Sequence, residues 1–219
     1  MDSDVAARMY RNDARLLWNH GIAGAIERMT SSRDSAATRA QTAKTREARV
    51  IGLASHSILA PVEQELCNTM ALAIQGNFEK GFRRWLRNSR NLVPNAAVTD
   101  EDIVKATWGS PVQPKRDLGL IMAALRRVQL EQTPEGSTLV ELALIGNVVR
   151  HGDGPSARRA LRLYPQLFDP VGELNGEPAL GADEEIPERL RISVARLHDY
   201  TFAVQRFWHR VQYAYTGQV

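Results

Sequence analysis

The chain has 219 residues, of which 43% are hydrophobic and 24% are charged, and its formal net charge is +3. That balance is ordinary for a soluble globular protein with a substantial core. No apolar run approaches the roughly 20 residues that cross a bilayer, the N-terminus lacks an apolar signal core, and a single cysteine excludes an internal disulfide. We therefore expect a cytoplasmic protein with no membrane contact.

The charges are unevenly distributed by type and by position. Arginine supplies nearly all of the 28 cationic residues, since lysine occurs only at positions 44, 80, 105 and 115. Arginine suits phosphate contacts and base stacking, although a GC-rich genome would produce the same bias. One segment without a basic residue holds six acids, namely Glu173, Glu177, Asp183, Glu184, Glu185 and Glu188. The remainder is correspondingly basic, which is compatible with a nucleic-acid partner.

The N-terminal part of the chain predicts helices of mixed character. Residues 4–29 carry a loose apolar stripe that the glycines near residue 21 interrupt. Residues 30–49 are rich in Ala, Ser, Thr and Arg, and they form either a solvated helix or a flexible connection. DNA binding through this Arg-rich segment is one alternative. We divide the chain into an N-terminal helical segment, 1–55, and a helical bundle, 56–219.

Apolar steps of three and four predict a long amphipathic helix from Val62 to about Asn88, with Pro61 in its first turn. Four arginines surround Trp85 at its end. They either complement the helix dipole or form an RNA-contacting patch. They are Arg83, Arg84, Arg87 and Arg90.

Shorter elements follow. Thr99 and Asp102 have the spacing of a capping box, which predicts a short helix. Residues 115–131 predict another helix, with Leu118, Ile121, Met122, Leu125 and Val128 facing inward.

A buried central helix is predicted in the segment 139–156, LVELALIGNVVRHGDGPS, because apolar residues cover most of its wheel. Asn147 and His151 lie four residues apart on one face, with Arg150 beside them. Gly152, Asp153, Gly154 and Pro155 then stop the helix, and a short helix follows over residues 156–164. An amide, a guanidinium, an imidazole and a carboxylate thus converge where the central helix ends.

The C-terminal part predicts a surface loop over 168–185 and a last helix over 187–214. A heptad-like seam on that helix indicates packing in a bundle or at a dimer face, so we expect a protein partner or a homodimer through Leu190–Tyr215. The seam comprises Leu190, Val194, Leu197, Thr201, Val204, Trp208, Val211 and Tyr215. No segment favours a sheet. The fold class is all-α, a bundle of about five to seven helices with a long C-terminal helix.

Several familiar kinds of chemistry are absent from the sequence. It contains no Walker-type or dinucleotide-binding glycine motif, no C-x-x-C and no H-E-x-x-H, and its five histidines lack metal-ligand spacing. We therefore expect no metal and no other cofactor. Cys67 lies in an apolar helical pattern, which favours a small buried residue over a nucleophile.

The segment Asn147-Val148-Val149-Arg150-His151, set in an all-α bundle with long flanking helices and a small polar turn, resembles the HEPN superfamily. Many HEPN proteins are metal-independent ribonucleases of toxin–antitoxin, abortive-infection and CRISPR-associated systems. Their motif is an arginine, usually a polar residue next, and then a histidine a few positions later. The polar position matches Asn147 and the histidine matches His151. The chain departs from the motif at Gly146, where the arginine would stand.

The resemblance implies a possible metal-independent endoribonuclease of a bacterial defence or toxin–antitoxin system, with two motifs meeting across a homodimer. His151 would be the acid or base, Arg150 the surrogate cation and Asn147 the orienting group. Asp153 would tune His151 or cap the turn.

Other interpretations of the same residues remain open. Asn147, His151 and Asp153 could simply satisfy backbone groups where a buried helix ends. The chain could then be a catalytically inactive interaction module that binds protein through the last helix and the acidic segment.

Overall fold

A computed structural model describes residues 3–16, 21–91, 97–108, 117–169, 173–174, 177–178 and 186–214. These residues form an all-α bundle, which confirms the predicted fold class. The α-helices are α1 (Ser3–Leu16), α2 (Ala23–Thr42), α3 (Arg46–Arg90), α4 (Asp100–Lys105), α5 (Leu118–Arg126), α6 (Gly136–His151), α7 (Pro155–Leu163) and α8 (Val194–Ala214). Short 3₁₀ helices span Leu130–Gln132, Pro165–Leu167 and Pro187–Arg189, and two-residue strands, β1 (Glu173–Leu174) and β2 (Glu177–Pro178), pair antiparallel.

Helix α6 is the buried centre of the bundle, as its apolar pattern predicts. Residues 141–146 are all buried, and the helix packs against α3, α7 and α8. Pro155 begins α7 at its first turn, where its missing N–H costs no hydrogen bond.

Helix α3 differs from the prediction because Pro61 lies inside it and does not begin a helix. The start is set by Thr45, whose hydroxyl accepts a hydrogen bond from the Ala48 N–H at 3.2 Å. The 45 residues extend about 67 Å at 1.5 Å each. The helix runs without a break across residues 55 and 56, where the chain was divided into an N-terminal segment and a bundle. Packing against α2 supports this half of the helix. Gly52 of α3 lies so close to Ala40 of α2 that a Cβ added at Gly52 would come within 2.7 Å of the Ala40 backbone nitrogen.

The Arg-rich stretch 30–49 is helical up to Thr42, so the solvated-helix alternative is the correct one. Three hydroxyls, those of Ser32, Thr38 and Thr42, donate to carbonyls four residues earlier. The turn to α3 occupies residues 43–45.

Two other boundaries differ from the predictions. Helix α5 ends at Arg126 because Arg127 adopts a left-handed backbone, φ 55°, and Val128 is exposed instead of facing inward. Helix α8 begins at Val194, seven residues later than predicted. The preceding backbone bonds to another segment, since the Arg191 N–H donates to the Leu167 carbonyl at 2.7 Å. The predicted capping box of Thr99 and Asp102 is confirmed.

The seam of α8 lies inside the bundle. Leu190, Leu197, Thr201, Val204, Trp208 and Val211 are buried, and α8 packs against α1, α3 and α6. Tyr215 lies outside the described residues. These six seam side chains are therefore packed within this chain, whereas Val194 is only partly buried, so a partner on α8 would have to use mainly its outer face. Within the described ranges, no helix has the length and apolar character needed to cross a membrane.

A buried ionic cluster joins α6 to α8. The Glu141 carboxylate, almost fully buried, accepts hydrogen bonds from Arg196 Nε at 2.6 Å and from the Tyr200 hydroxyl at 2.7 Å. Burial raises the pKa of Tyr200, and the hydrogen bond to Glu141 raises the pKa of Arg196. Glu135, at the start of α6, similarly pairs with Arg206 and Arg210.

Candidate nucleic-acid interface

A cleft of about 610 Å³ opens where the C-terminal half of α3, the end of α4 and the last turn of α6 meet. It brings together two groups of residues that the sequence singled out separately, namely three of the four predicted arginines of α3 and the Asn147–His151 face of α6. The lining residues are Gly76, Glu79, Lys80, Arg83, Arg84, Arg87, Val104, Thr107, Trp108, Asn147, Arg150 and His151.

Cations dominate this lining. Lys80, Arg84 and Arg87 are exposed, and their spacing of four and three residues places them in one row on α3. Arg150 enters from α6, so four cations face the cleft without an ion pair to any carboxylate in the described part of the chain. Glu79 is the single carboxylate among the lining residues. The result is a positively charged groove.

A hydrogen-bonded network forms the floor of the cleft. The Gln75 amide nitrogen and Arg83 both donate to the Glu79 carboxylate, and Arg83 Nη2 also donates to the Ala106 carbonyl at 2.7 Å. The Gln75 side-chain oxygen accepts from Arg150 Nη2 at 2.7 Å. Gln75 and Glu79 are both buried. Arg83 therefore ties α3 to the end of α4, and the network holds the Arg150 guanidinium in place.

Asn147 and His151 lie on the last two turns of α6, with Asn147 partly buried and His151 exposed. The helix ends at Gly152, whose φ of 69° suits glycine and whose N–H closes the final turn on the Val148 carbonyl at 2.8 Å. Asp153 lies beyond that turn, is exposed, and is not part of the cleft lining.

Gly146, the position where the resemblance would place an arginine, has no room for a side chain. It is buried where α6 crosses α3, and a Cβ there would lie 2.7 Å from Gln75 Cγ and 3.0 Å from Gln75 Cβ. A side chain at this position would collide with the residue that holds Arg150. Any cation for the predicted site must therefore come from elsewhere, and Arg150 is in the cleft.

Arg90, the fourth predicted nucleic-acid contact, is placed differently. Its Nε donates to the Val98 carbonyl at 2.9 Å, and its Nη1 lies 3.2 Å from Asp100 Oδ1. It holds the chain that leads into α4, and it is not part of the cleft lining.

Lys80 and Trp108 are among the cleft residues that were not predicted from the sequence. Lys80 lies one turn before Arg84, so extending the arginine row backwards by four residues would have found it. Trp108 comes into the cleft from the segment after α4, and no local spacing relates it to α3 or α6.

A larger open groove of about 930 Å³ lies along α2 beside Val194. Its lining includes Glu27 and Asp34 but no Lys, Arg or His. This groove does not suit an anionic ligand, and the smaller cationic cleft does. Among the described residues, no group of three or more His, Cys, Asp and Glu side chains is arranged to hold a metal ion.

Cys67 is buried in α3, as the sequence predicts. Burial, assisted by the nearby Glu63 carboxylate, raises the pKa of the Cys67 thiol from 9.0 to about 11. A thiol of this kind is a poor nucleophile near neutral pH.

The raised pKa of Cys67 gives a testable pH dependence. Between about pH 9 and about pH 11 the unfolded thiol loses its proton while the folded thiol keeps it, so the free energy of unfolding should fall as pH rises. Urea unfolding at several pH values checks this, with Cys67→Ala as the comparison. The wild-type protein should lose more stability across that window than the variant, and parallel losses would contradict the assignment.

No protein-family model, no curated protein and no solved structure matches this chain. The assignment of function therefore rests on the residues of the cleft.

Proposed function

We propose that the protein binds RNA in the cationic cleft between α3, α4 and α6. The observation that carries the proposal is the row Lys80, Arg84 and Arg87, which faces Arg150 across one concave surface without carboxylate partners among the described residues. Guanidinium and ammonium groups arranged in this way bind consecutive backbone phosphates and release their counterions. The partly buried aromatic ring of Trp108 in the same lining favours a nucleic acid over a simple inorganic anion.

We further propose that the protein is HEPN-like, as the segment 147–151 suggests. Asn147 and His151 of the resembling segment are both cleft residues, so the segment and the cations would act on one ligand. On this proposal the protein works in the cytoplasm, in a bacterial defence or toxin–antitoxin type of system, as a homodimer or with a protein partner.

The binding proposal is tested with a double variant, Arg84→Ala with Arg87→Ala. A matched control is Arg46→Ala with Arg49→Ala, because these exposed arginines have the same spacing on the same helix, about 57 Å away at 1.5 Å per residue. Fluorescence anisotropy with a labelled RNA 12-mer measures the affinity. We expect the cleft variant to bind about 10-fold or more weakly and the control to bind like wild type.

A larger loss in the control variant would transfer the binding site to the Arg-rich hairpin of α2 and α3. Equal affinity in all three proteins would contradict the cleft assignment.

RNA cleavage is a second candidate, favoured by the exposed imidazole of His151 in the cleft. In metal-independent cleavage the 2′-oxygen loses its proton and bonds to phosphorus, the bond to the 5′-oxygen breaks, and that oxygen takes up a proton. The products are a 2′,3′-cyclic phosphate and a 5′-hydroxyl. His151 would transfer a proton, Arg150 would stabilise charge on the phosphorane and Asn147 would orient the phosphate.

The cleavage candidate is tested by incubating RNA in the presence of EDTA with wild type, His151→Ala, Arg150→Ala and the control His209→Ala, whose histidine is exposed on α8. We expect cyclic-phosphate products from wild type and the control, with a loss of about 100-fold or more in the His151 variant. Unchanged cleavage in both the His151 and Arg150 variants would remove the catalytic assignment.

A further inference from the structure

Trp108 contacts the aromatic core of the bundle on one side and lines the cleft with the rest of its surface. Its ring is stacked on Phe78, with centroids 5.9 Å apart and planes 13° apart, and it lies 5.0 Å from the Phe82 ring. Both phenylalanines are buried on α3. Trp108 itself is only partly buried, and its remaining surface lines the cleft. The Trp108 ring thus connects the aromatic core of the bundle to the cleft.

The backbone that leads into Trp108 is held at two consecutive residues. The Thr107 carbonyl accepts the Leu118 N–H at 3.1 Å, within a bridge between residues 107 and 117. The Ala106 carbonyl accepts from Arg83, which also carries the Glu79 contact. The ring is therefore fixed before a ligand arrives, so stacking on it would require little ordering of the protein.

Cations and a fixed ring in one cleft suit a particular form of nucleic acid. The row of Lys80, Arg84 and Arg87 follows a phosphate backbone, and Trp108 offers an aromatic surface next to it. An unpaired base can turn out of its strand and stack on such a ring, whereas a base within a duplex is already stacked and paired. We propose that Trp108 is a stacking platform for an unpaired nucleobase and that it makes the cleft selective for single-stranded RNA over duplex RNA. The inference rests on the proposed RNA-binding function.

Two variants separate stacking from a merely structural role. Trp108→Leu keeps an apolar side chain against Phe78 and Phe82 but removes the ring, while Trp108→Phe keeps a ring. The probes are a single-stranded RNA 10-mer, the same 10-mer as a duplex, and an abasic ribose-phosphate 10-mer that carries the charges without bases.

For the single-stranded probe, we expect Trp108→Leu to weaken binding by about 5- to 100-fold and Trp108→Phe to stay within about 3-fold of wild type. For the abasic probe, all three proteins should agree within about 2-fold, because phosphate contacts are unchanged. Wild type should bind the single strand more tightly than the duplex.

Each other outcome has its own meaning. Equal losses by Trp108→Leu on the single-stranded and abasic probes would overturn the stacking inference, since they report a distorted cleft. Duplex binding as tight as single-strand binding would overturn it too, while leaving the cationic cleft intact. If wild type binds none of the three probes, the proposed function fails and the inference fails with it.

Discussion

Gly146→Ala is expected to lower the free energy of unfolding by about 1–3 kcal/mol, although replacing a helical glycine with alanine ordinarily adds up to about 1 kcal/mol. The sign reverses because the new methyl group would lie 2.7–3.0 Å from the Gln75 side chain. Gln75 cannot easily move away, since it is bonded to both Arg150 and Glu79. The larger side chain in Gly146→Arg should prevent stable packing of α6 on α3.

Gly76→Ala is the matched control, since Gly76 is also inside a helix and beside the cleft but has no atom within 4 Å of an added Cβ. This substitution should leave the stability unchanged or raise it by up to about 1 kcal/mol. Urea unfolding of the three proteins measures the difference. A Gly146→Ala protein as stable as Gly76→Ala would show that the contact with Gln75 does not constrain this position.

Arg196→Met is expected to destabilise the protein by about 3 kcal/mol, because the buried Glu141 carboxylate loses its countercharge. That value is at the lower end of the range for breaking a buried ion pair, since 29% of the Arg196 side chain is exposed. Met preserves much of the apolar stem of the arginine, so the loss reports charge more than packing.

Two comparisons isolate the buried charge. Adding Glu141→Gln to Arg196→Met should restore part of the stability, because the amide oxygen still accepts from Tyr200 while no charge is left unpaired. Lys105→Met removes the exposed partner of Glu101 and should change the free energy of unfolding by only about 0.5 kcal/mol or less. A double variant less stable than Arg196→Met would contradict this explanation.

Residue patterns within a single helix predicted those features of the fold that depend on residues close together in the sequence. The burial of α6 follows from apolar residues around most of its wheel, and the start of α4 follows from the Thr99–Asp102 capping box. Pro61 misled the prediction because tertiary packing against α2 supports a helix that passes through the proline. The late start of α8 depends on backbone bonds to Leu167 and Asp169, which are distant in sequence.

The candidate site was predicted in two halves. Helical spacing placed Asn147 with His151 on one face, and the end of the long helix was predicted to carry a patch of arginines that includes Arg84 and Arg87. That the face and the patch meet in one cleft depends on the crossing of α3 and α6 at Gly146, which no periodicity within either helix specifies. The contribution of Trp108 likewise comes from the path of the chain after α4.

The central claim, RNA binding through the cationic row, is tested most directly by the salt dependence of the affinity. With Lys80, Arg84, Arg87 and Arg150 each contacting a phosphate, the logarithm of the association constant should fall against the logarithm of salt with a slope of about −3. The Arg84→Ala, Arg87→Ala variant should reduce that slope to about −1.5, and the Arg46→Ala, Arg49→Ala control should retain about −3. A wild-type slope near zero, or a slope that only the Arg46 and Arg49 substitutions change, would contradict the account.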